Sequence, residues 1–217
     1  MSTDRDATQL ERLAFFSDAV FAIAITLLVI EVRVPDLHAA THAATDGELQ
    51  HALLALIPKY IGFLVSFIVI GRFWLGHHRM FGMLRRADNK LIAANLMLLF
   101  GIAFMPFPTA VFSEYAGLRT AALLYTGWLV VLGLFNWRLI GIGVCDKTGL
   151  LAEDFDPAAR RLLLTGRWQP IAIGLSAMAA TLVHPTLPLL VLVLGIPLAN
   201  LIVRLATRRE PKPDVTD

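Results

Sequence analysis

The stretch that decides the fold is LIAANLMLLFGIAFMPFPTAVFS, residues 91–113, which carries no charge between Lys90 and Glu114. About 20 mostly apolar residues are needed to cross the hydrocarbon core of a bilayer, and this run is long enough. Thr120 to Trp137, bounded by Arg119 and Arg138, is a second such run. Trp168 to Val203 is too long for one crossing and carries His184-Pro-Thr-Leu-Pro188 at its middle. Proline removes a backbone donor and restricts the residue before it, so this stretch reads as a hairpin of two helices.

Composition agrees with a membrane reading. Hydrophobic residues make up 57% of the 217-residue chain, charged residues 17%, and the mean hydropathy is +0.67. Globular domains average roughly 45–50% apolar and about 25% charged. A soluble surface, a disordered chain, a coiled coil and a disulfide scaffold are all excluded by these figures. Cys145 is the only cysteine, which leaves no internal disulfide and no cysteine-based zinc site. The net charge of +2 is too small to point to a nucleic-acid partner.

Two less pure runs complete the count. Leu13 to Glu31 contains Asp18, and His51 to Met80 contains Lys59, Arg72, His77 and His78. Charge at membrane depth is costly and faces protein or water rather than lipid, so these helices belong inside the assembly. The expected fold is an all-α integral membrane protein. Its six helices cover roughly 13–34, 51–81, 89–113, 119–142, 158–183 and 186–206. Residues 1–209 form one transmembrane domain, and 210–217 a disordered tail.

Loop charge sets the orientation. Arg79, Arg85, Arg86 and Lys90 surround the second turn, Lys147, Arg160, Arg161 and Arg167 the fourth, and Arg204, Arg208, Arg209 and Lys212 follow the last helix. The opposite side has little beyond Arg33 and Arg119. Positive residues stay in the cytoplasm, so both termini are expected there. The flank of the first helix mixes Asp4, Arg5, Asp6, Glu11 and Arg12, a poor signal-peptide n-region, and the helix is expected to be retained. Asp156-Pro157 reads as an N-cap followed by proline at the first helical position. Phe104-Met-Pro-Phe-Pro108 should kink the third helix.

Polar residues within the spans are the candidates for function. Asp18 lies about 9 Å along the helix from Arg12. Trp74, His77 and His78 share one helix face. A bond from the indole or a histidine to Asp18 would lock the first two helices together. Structural glue, gating and a proton relay are all compatible with that pattern. Beyond Asp18, Ile23, Thr26, Leu27 and Ile30 form one stripe of the first helix, bracketed by Asp18 and Glu31. Such a stripe packs into a core or meets lipid; placed around a symmetry axis, it makes a constriction that gates by dewetting. Glu31 suits either a cation-concentrating mouth or a solvated helix end.

Elsewhere the signals are weak. His38, His42 and His51 sit in or beside the first external loop, where exposure outweighs a zinc or pH site. No nucleotide loop, nucleophile elbow, Cys/His metal spacing or Thr-Val-Gly-Tyr-Gly filter occurs. No enzyme activity, cofactor or structural metal is expected.

The segment Arg12-xxx-Phe16-Ser17-Asp18 followed by AVFAIAITLL, with Trp74-Leu-Gly-His-His-Arg-Met-Phe81 as a second motif, closely resembles the transmembrane protein 175 family of potassium-permeable channels. The resemblance is specific over Arg12 to Val34 and Phe73 to Phe81, and elsewhere rests on topology. Length and helix number match the bacterial members, with one repeat per chain, rather than the two-repeat lysosomal ones. The resemblance implies a homotetramer in the bacterial cytoplasmic membrane, conducting potassium and other monovalent cations passively, with the first helix lining the pore. Ile23, Leu27 and Ile30 would form apolar rings in place of a carbonyl filter, Ile23 the tightest, with the Thr26 hydroxyl beside it. Arg12, Phe16, Ser17, Asp18, Trp74 and His77 would hold the pore helix, and His78 could stand in for His77. The rivals are a proton-coupled secondary transporter using Asp18 and His77 or His78, and a membrane scaffold or enzyme subunit.

Overall fold

The computed structural model describes residues 2–37, 45–145 and 148–208. Within them the chain is helical, in the order α1 (Ser2–Leu27), α2 (Asp46–Ala55), α3 (Ile57–Phe81), α4 (Asn89–Phe104), α5 (Pro106–Glu114), α6 (Arg119–Gly143), α7 (Pro157–Gly166), α8 (Gln169–Val183) and α9 (Leu187–Arg208). Four stretches, 6–31, 57–81, 89–114 and 119–143, are long and apolar enough to cross a membrane.

Helix boundaries follow local chemistry. The first helix begins at Ser2 rather than near residue 13, and tightens into a 3₁₀ turn over Leu28–Glu31. It stops short of residue 34 because Pro35 pushes Val34 out of helical geometry. The reading of one helix over 51–81 is replaced by two. Thr45 caps α2 through a reciprocal box: Glu48 N–H donates to the Thr45 hydroxyl at 3.4 Å, and Thr45 N–H donates to the Glu48 carboxylate at 2.8 Å. The chain steps at Leu56, and Pro58 sits in the first turn of α3.

Asp88 caps α4 by accepting from Leu91 N–H at 2.7 Å. The expected kink is a break at Met105, after which Pro106 opens α5. Asp156 caps α7 by accepting from Ala158 N–H at 2.8 Å, with Pro157 next, as the sequence pattern indicates. The expected single helix over 158–183 is divided after Gly166. Pro170 lies in the first turn of α8 and cannot donate back to the Gly166 carbonyl. The α8 helix has 15 residues, about 22 Å of rise, against a hydrocarbon core of about 30 Å. The tail 210–217 and the loop histidines His38 and His42 lie outside the described residues.

Packing is centred on α6, which lies against α4, α5 and α8, while α1 packs on α3 and α4. Small residues set the closest approach. A Cβ on Gly174 would meet Val130 N at 3.1 Å, and one on Gly133 would meet Ile171 N at 2.9 Å, so the α6 and α8 backbones nearly touch. Deeper in the bundle, Ser66, Thr109 and Tyr125 are fully buried and join α3, α5 and α6. Thr109 donates its hydroxyl to the Met105 carbonyl at 2.9 Å, so it accepts from Ser66 at 2.9 Å, and Ser66 in turn accepts from Tyr125 at 3.0 Å. This directed chain closes on the Met105 carbonyl at the α4–α5 break, which also accepts from Thr109 N–H at 3.2 Å. At one end of the bundle, Lys59 at the start of α3 pairs with Glu114 at the end of α5, 2.7 Å apart.

Candidate pore helix and its anchoring network

Helix α1 has two faces of different character. Ser17, Phe21, Ala24 and Leu28 are buried in the chain's own core. The opposite face turns outward: Ile23 is 58% exposed, Leu27 40%, Ile30 60%, and Thr26 is exposed between them. Thr26 donates its hydroxyl to the Ile23 carbonyl at 2.9 Å, leaving its lone pairs facing outward. An apolar stripe facing away from its own core requires lipid, another chain or an enclosed lumen as its neighbour. Glu31 is half-buried at the end of the 3₁₀ turn.

The inward face is fixed by polar bonds. The Trp74 indole donates to Asp18 Oδ1 at 2.8 Å, tying α3 to α1. At the adjacent residue of α1, Asn95 of α4 donates through Nδ2 to Ser17 Oγ at 2.9 Å, and Ser17 donates to the Leu13 carbonyl at 2.7 Å. With its amide nitrogen so used, Asn95 accepts through Oδ1 from His77 Nε2, at 2.8 Å. Three helices thus meet in one buried path, from His77 through Asn95 and Ser17 to the backbone of α1. The His77 ring lies between Phe81 at 4.1 Å and Phe21 at 5.5 Å, which fixes its plane.

Of the residues singled out from sequence, the structure brings Ser17, Asp18, Trp74 and His77 together. It distinguishes the two histidines: His77 is buried on Asn95, while His78 is exposed and stacks on Trp74 at 5.5 Å. Neither histidine bonds to Asp18; the indole does. Arg12 and Phe16 are exposed and lie outside the hydrogen-bonded set among the described residues. The residue that sequence reasoning missed is Asn95, at the centre of the network. Its signal was present, as the lone amide in the uncharged run 91–113, where a polar side chain faces the bundle interior. Among the described residues, no group of three His, Cys, Asp or Glu side chains could hold a metal ion.

A many-helix membrane protein, with one apolar helix face turned out and the other pinned by a polar network, is the architecture of a channel or transporter subunit. Comparison with known proteins is more specific. The family model described as the endosomal/lysosomal potassium channel TMEM175 matches residues 12–106. A potassium channel of Streptomyces collinus is 37% identical over 201 residues, covering 85% of this chain and 90% of that one. A potassium channel of Chamaesiphon minutus is 42% identical over 149 residues, covering 67% and 70%. The crystal structure of a lysosomal potassium-selective channel TMEM175 homolog from Chamaesiphon minutus superposes with a TM-score of 0.71 at 32% identity, over 92% of this chain and 98% of that one.

The chain belongs to the TMEM175 family. Its relatives are ion channels rather than enzymes. The human endosomal/lysosomal proton channel TMEM175 is 31% identical over 109 residues, which are 49% of this chain and 21% of that one.

Proposed function

We propose that the protein is a potassium-permeable cation channel, passive and free of any cofactor, in the bacterial cytoplasmic membrane. Four copies surround an axis, and the outward stripe of α1 lines it. Ile23, Leu27 and Ile30 then form successive apolar rings, with Ile23 the narrowest and the Thr26 oxygen beside it. An apolar ring offers no carbonyl cage to replace the water around potassium, so discrimination against sodium is modest, and the constriction gates by dewetting. Glu31 stands at the outer mouth, where a carboxylate raises the local cation concentration. In this reading the chain crosses six times, with α8 and α9 as the last hairpin, and the arginine-rich ends of the bundle and both termini lie in the cytoplasm.

The observation that carries this reading is the exposure of Ile23, Leu27 and Ile30 opposite the buried Ser17–Phe21–Ala24–Leu28 face. The Trp74–Asp18 bond supports an anchoring role for Asp18 over that of a proton carrier, since its Oδ1 is engaged by a donor that does not titrate.

Reversal potential in planar bilayers, under a potassium gradient and then with sodium on one side, tests the reading. Single-channel steps with a Nernst-like shift are expected. Replacing Ile23 with Asn should wet the constriction and raise cation flux severalfold, since a barrier change of about 1.4 kcal/mol is tenfold in rate. Unchanged conductance and selectivity would remove Ile23 from the narrow point. Absence of current, with potassium uptake driven by a proton gradient, would establish the exchanger instead. A monodisperse monomer in detergent would rule out an axial pore.

A further inference from the structure

The outward face of α1 continues past the apolar run that begins at Leu13. The helix starts at Ser2, so the segment up to Arg12 adds about 16 Å of helix beyond that run. Gln9, Arg12, Phe16, Ala19, Ile23 and Thr26 follow one another at alternating spacings of three and four, and all are exposed. That alternation is a heptad seam, which stays on one side of a helix that supercoils with its neighbours. Ser17, Phe21, Ala24 and Leu28 are buried on the other side. The seam is mostly apolar from Phe16 onward and polar at its start, where Arg12 is its one charged member. The Arg12 guanidinium has no hydrogen bond or ion pair among the described residues. The anchoring network closes without it, since Asp18 takes the Trp74 indole and Ser17 takes the Asn95 amide. Glu11, its neighbour in sequence, points about 100° away around the helix.

We propose that Arg12 belongs to the conduction path and not to the anchoring network. Four copies of its guanidinium ring the cytoplasmic vestibule, about 16 Å from Ile23, and make the channel pass cations inward more readily than outward. This rests on the conduction reading, in which the same seam of α1 lines the axis. A ring of charge at a pore entrance sets the local concentration of the permeating ion. A positive ring depletes potassium at the cytoplasmic mouth and slows entry from that side. Glu31 at the opposite mouth enriches potassium, so both ends favour the inward direction. Because a guanidinium stays charged at every working pH, the asymmetry does not titrate. It is instead screened by salt, since the Debye length falls from about 10 Å at 0.1 M to about 3 Å at 1 M.

The test uses inside-out patches from cells expressing the full chain, which fix the orientation, in symmetrical potassium chloride. Inward single-channel current should exceed outward current roughly twofold at about 0.1 M salt and approach it at about 1 M. Arg12→Gln should raise the outward current roughly twofold at low salt and leave the inward current nearly unchanged. Arg12→Lys keeps the charge and should keep the asymmetry, whereas a guanidinium needed for anchoring would not be replaced by an ammonium. Gln9→Glu places a negative ring one turn away on the same seam, with Arg12 intact, and should also raise the outward current. That variant decides the matter if Arg12→Gln gives no channels. An unchanged current ratio in Arg12→Gln, or in Gln9→Glu where the former is silent, would overturn the proposal. If Ile23→Asn still raises flux in that case, the conduction reading stands and only the charged ring is lost. Absence of current from the unaltered chain would remove both.

Discussion

Helix α3 contributes to two buried polar clusters, and they differ in a way that separates scaffold from working part. One is made of Ser66, Thr109 and Tyr125, three hydroxyls that pass a hydrogen bond in one direction and end on the Met105 carbonyl. The other lies about 16 Å along the same helix and contains a carboxylate, an indole, an imidazole and an amide. The hydroxyl cluster holds α3, α5 and α6 together across the proline break, and its hydrogen bonds do not involve α1. The second cluster exists only because α1 is there, since Ser17 and Asp18 supply its inner end. Neutral hydroxyls are the economical means of joining helices in a low-dielectric interior, because desolvating them costs far less than desolvating an ion. A carboxylate and an imidazole in the other cluster therefore mark the place where the position of a helix, and not only cohesion, is being set.

Three substitutions sharpen or break this distinction. The largest effect is expected from Asn95→Leu. It leaves both His77 Nε2 and an acceptor site of Ser17 buried without partners, at a cost of about 1–3 kcal/mol for each stranded group. A fall of several degrees in the thermal midpoint of the purified assembly, together with altered current through the α1 pathway, is the expected result. A drop in stability with unchanged current would make this cluster as purely structural as the hydroxyl one. Next comes Asp18→Asn, which keeps an acceptor for the Trp74 indole and loses the charge. Stability should fall by about 1 kcal/mol or less, and cation current should persist. Loss of all transport would instead assign Asp18 a carrier role. The smallest effect belongs to Tyr125→Phe, which removes only the first donor of the hydroxyl chain. Unfolding should shift by about 0.6–1 kcal/mol with selectivity untouched, and a changed reversal potential would erase the contrast between the clusters.

Much of this arrangement was legible in the sequence, and the parts that were not share a physical cause. The uncharged run 91–113 and the run from Thr120 to Trp137 predict their helices closely, because hydropathy is a local property. The Asp156-Pro157 start was legible for the same reason, a cap being written in adjacent residues. The breaks at Leu56 and after Gly166 depart from the expected unbroken helices, although Thr45-Asp-Gly-Glu48, Pro58 and Pro170 stand in the chain. A search for long apolar runs smooths over such punctuation. Within the network, the meeting of Asp18 with Trp74 followed from two polar side chains needing partners in an apolar setting. The choice of His77 over His78 did not, because adjacent residues on a helix point about 100° apart and only the packing direction of α3 decides between them. Asn95 and the Ser66–Thr109–Tyr125 chain join residues 18 to 78 positions apart, and their partners depend on which helices become neighbours.

The 3₁₀ turn over Leu28–Glu31 has a geometric consequence for the stripe on α1. An α-helix advances about 100° and 1.5 Å per residue, whereas a 3₁₀-helix advances about 120° and 2.0 Å. Over the three steps from Leu27 to Ile30, that is a full revolution rather than about 300°. Ile30 therefore stands directly in line with Leu27, roughly 6 Å further along the axis. Relaxing this single turn to α geometry swings Ile30 by about 60° and draws it back by about 1.5 Å. The end of α1 is cut like a screw of coarser pitch, and one turn of thread converts a small axial slide into a rotation of the apolar side chain it carries.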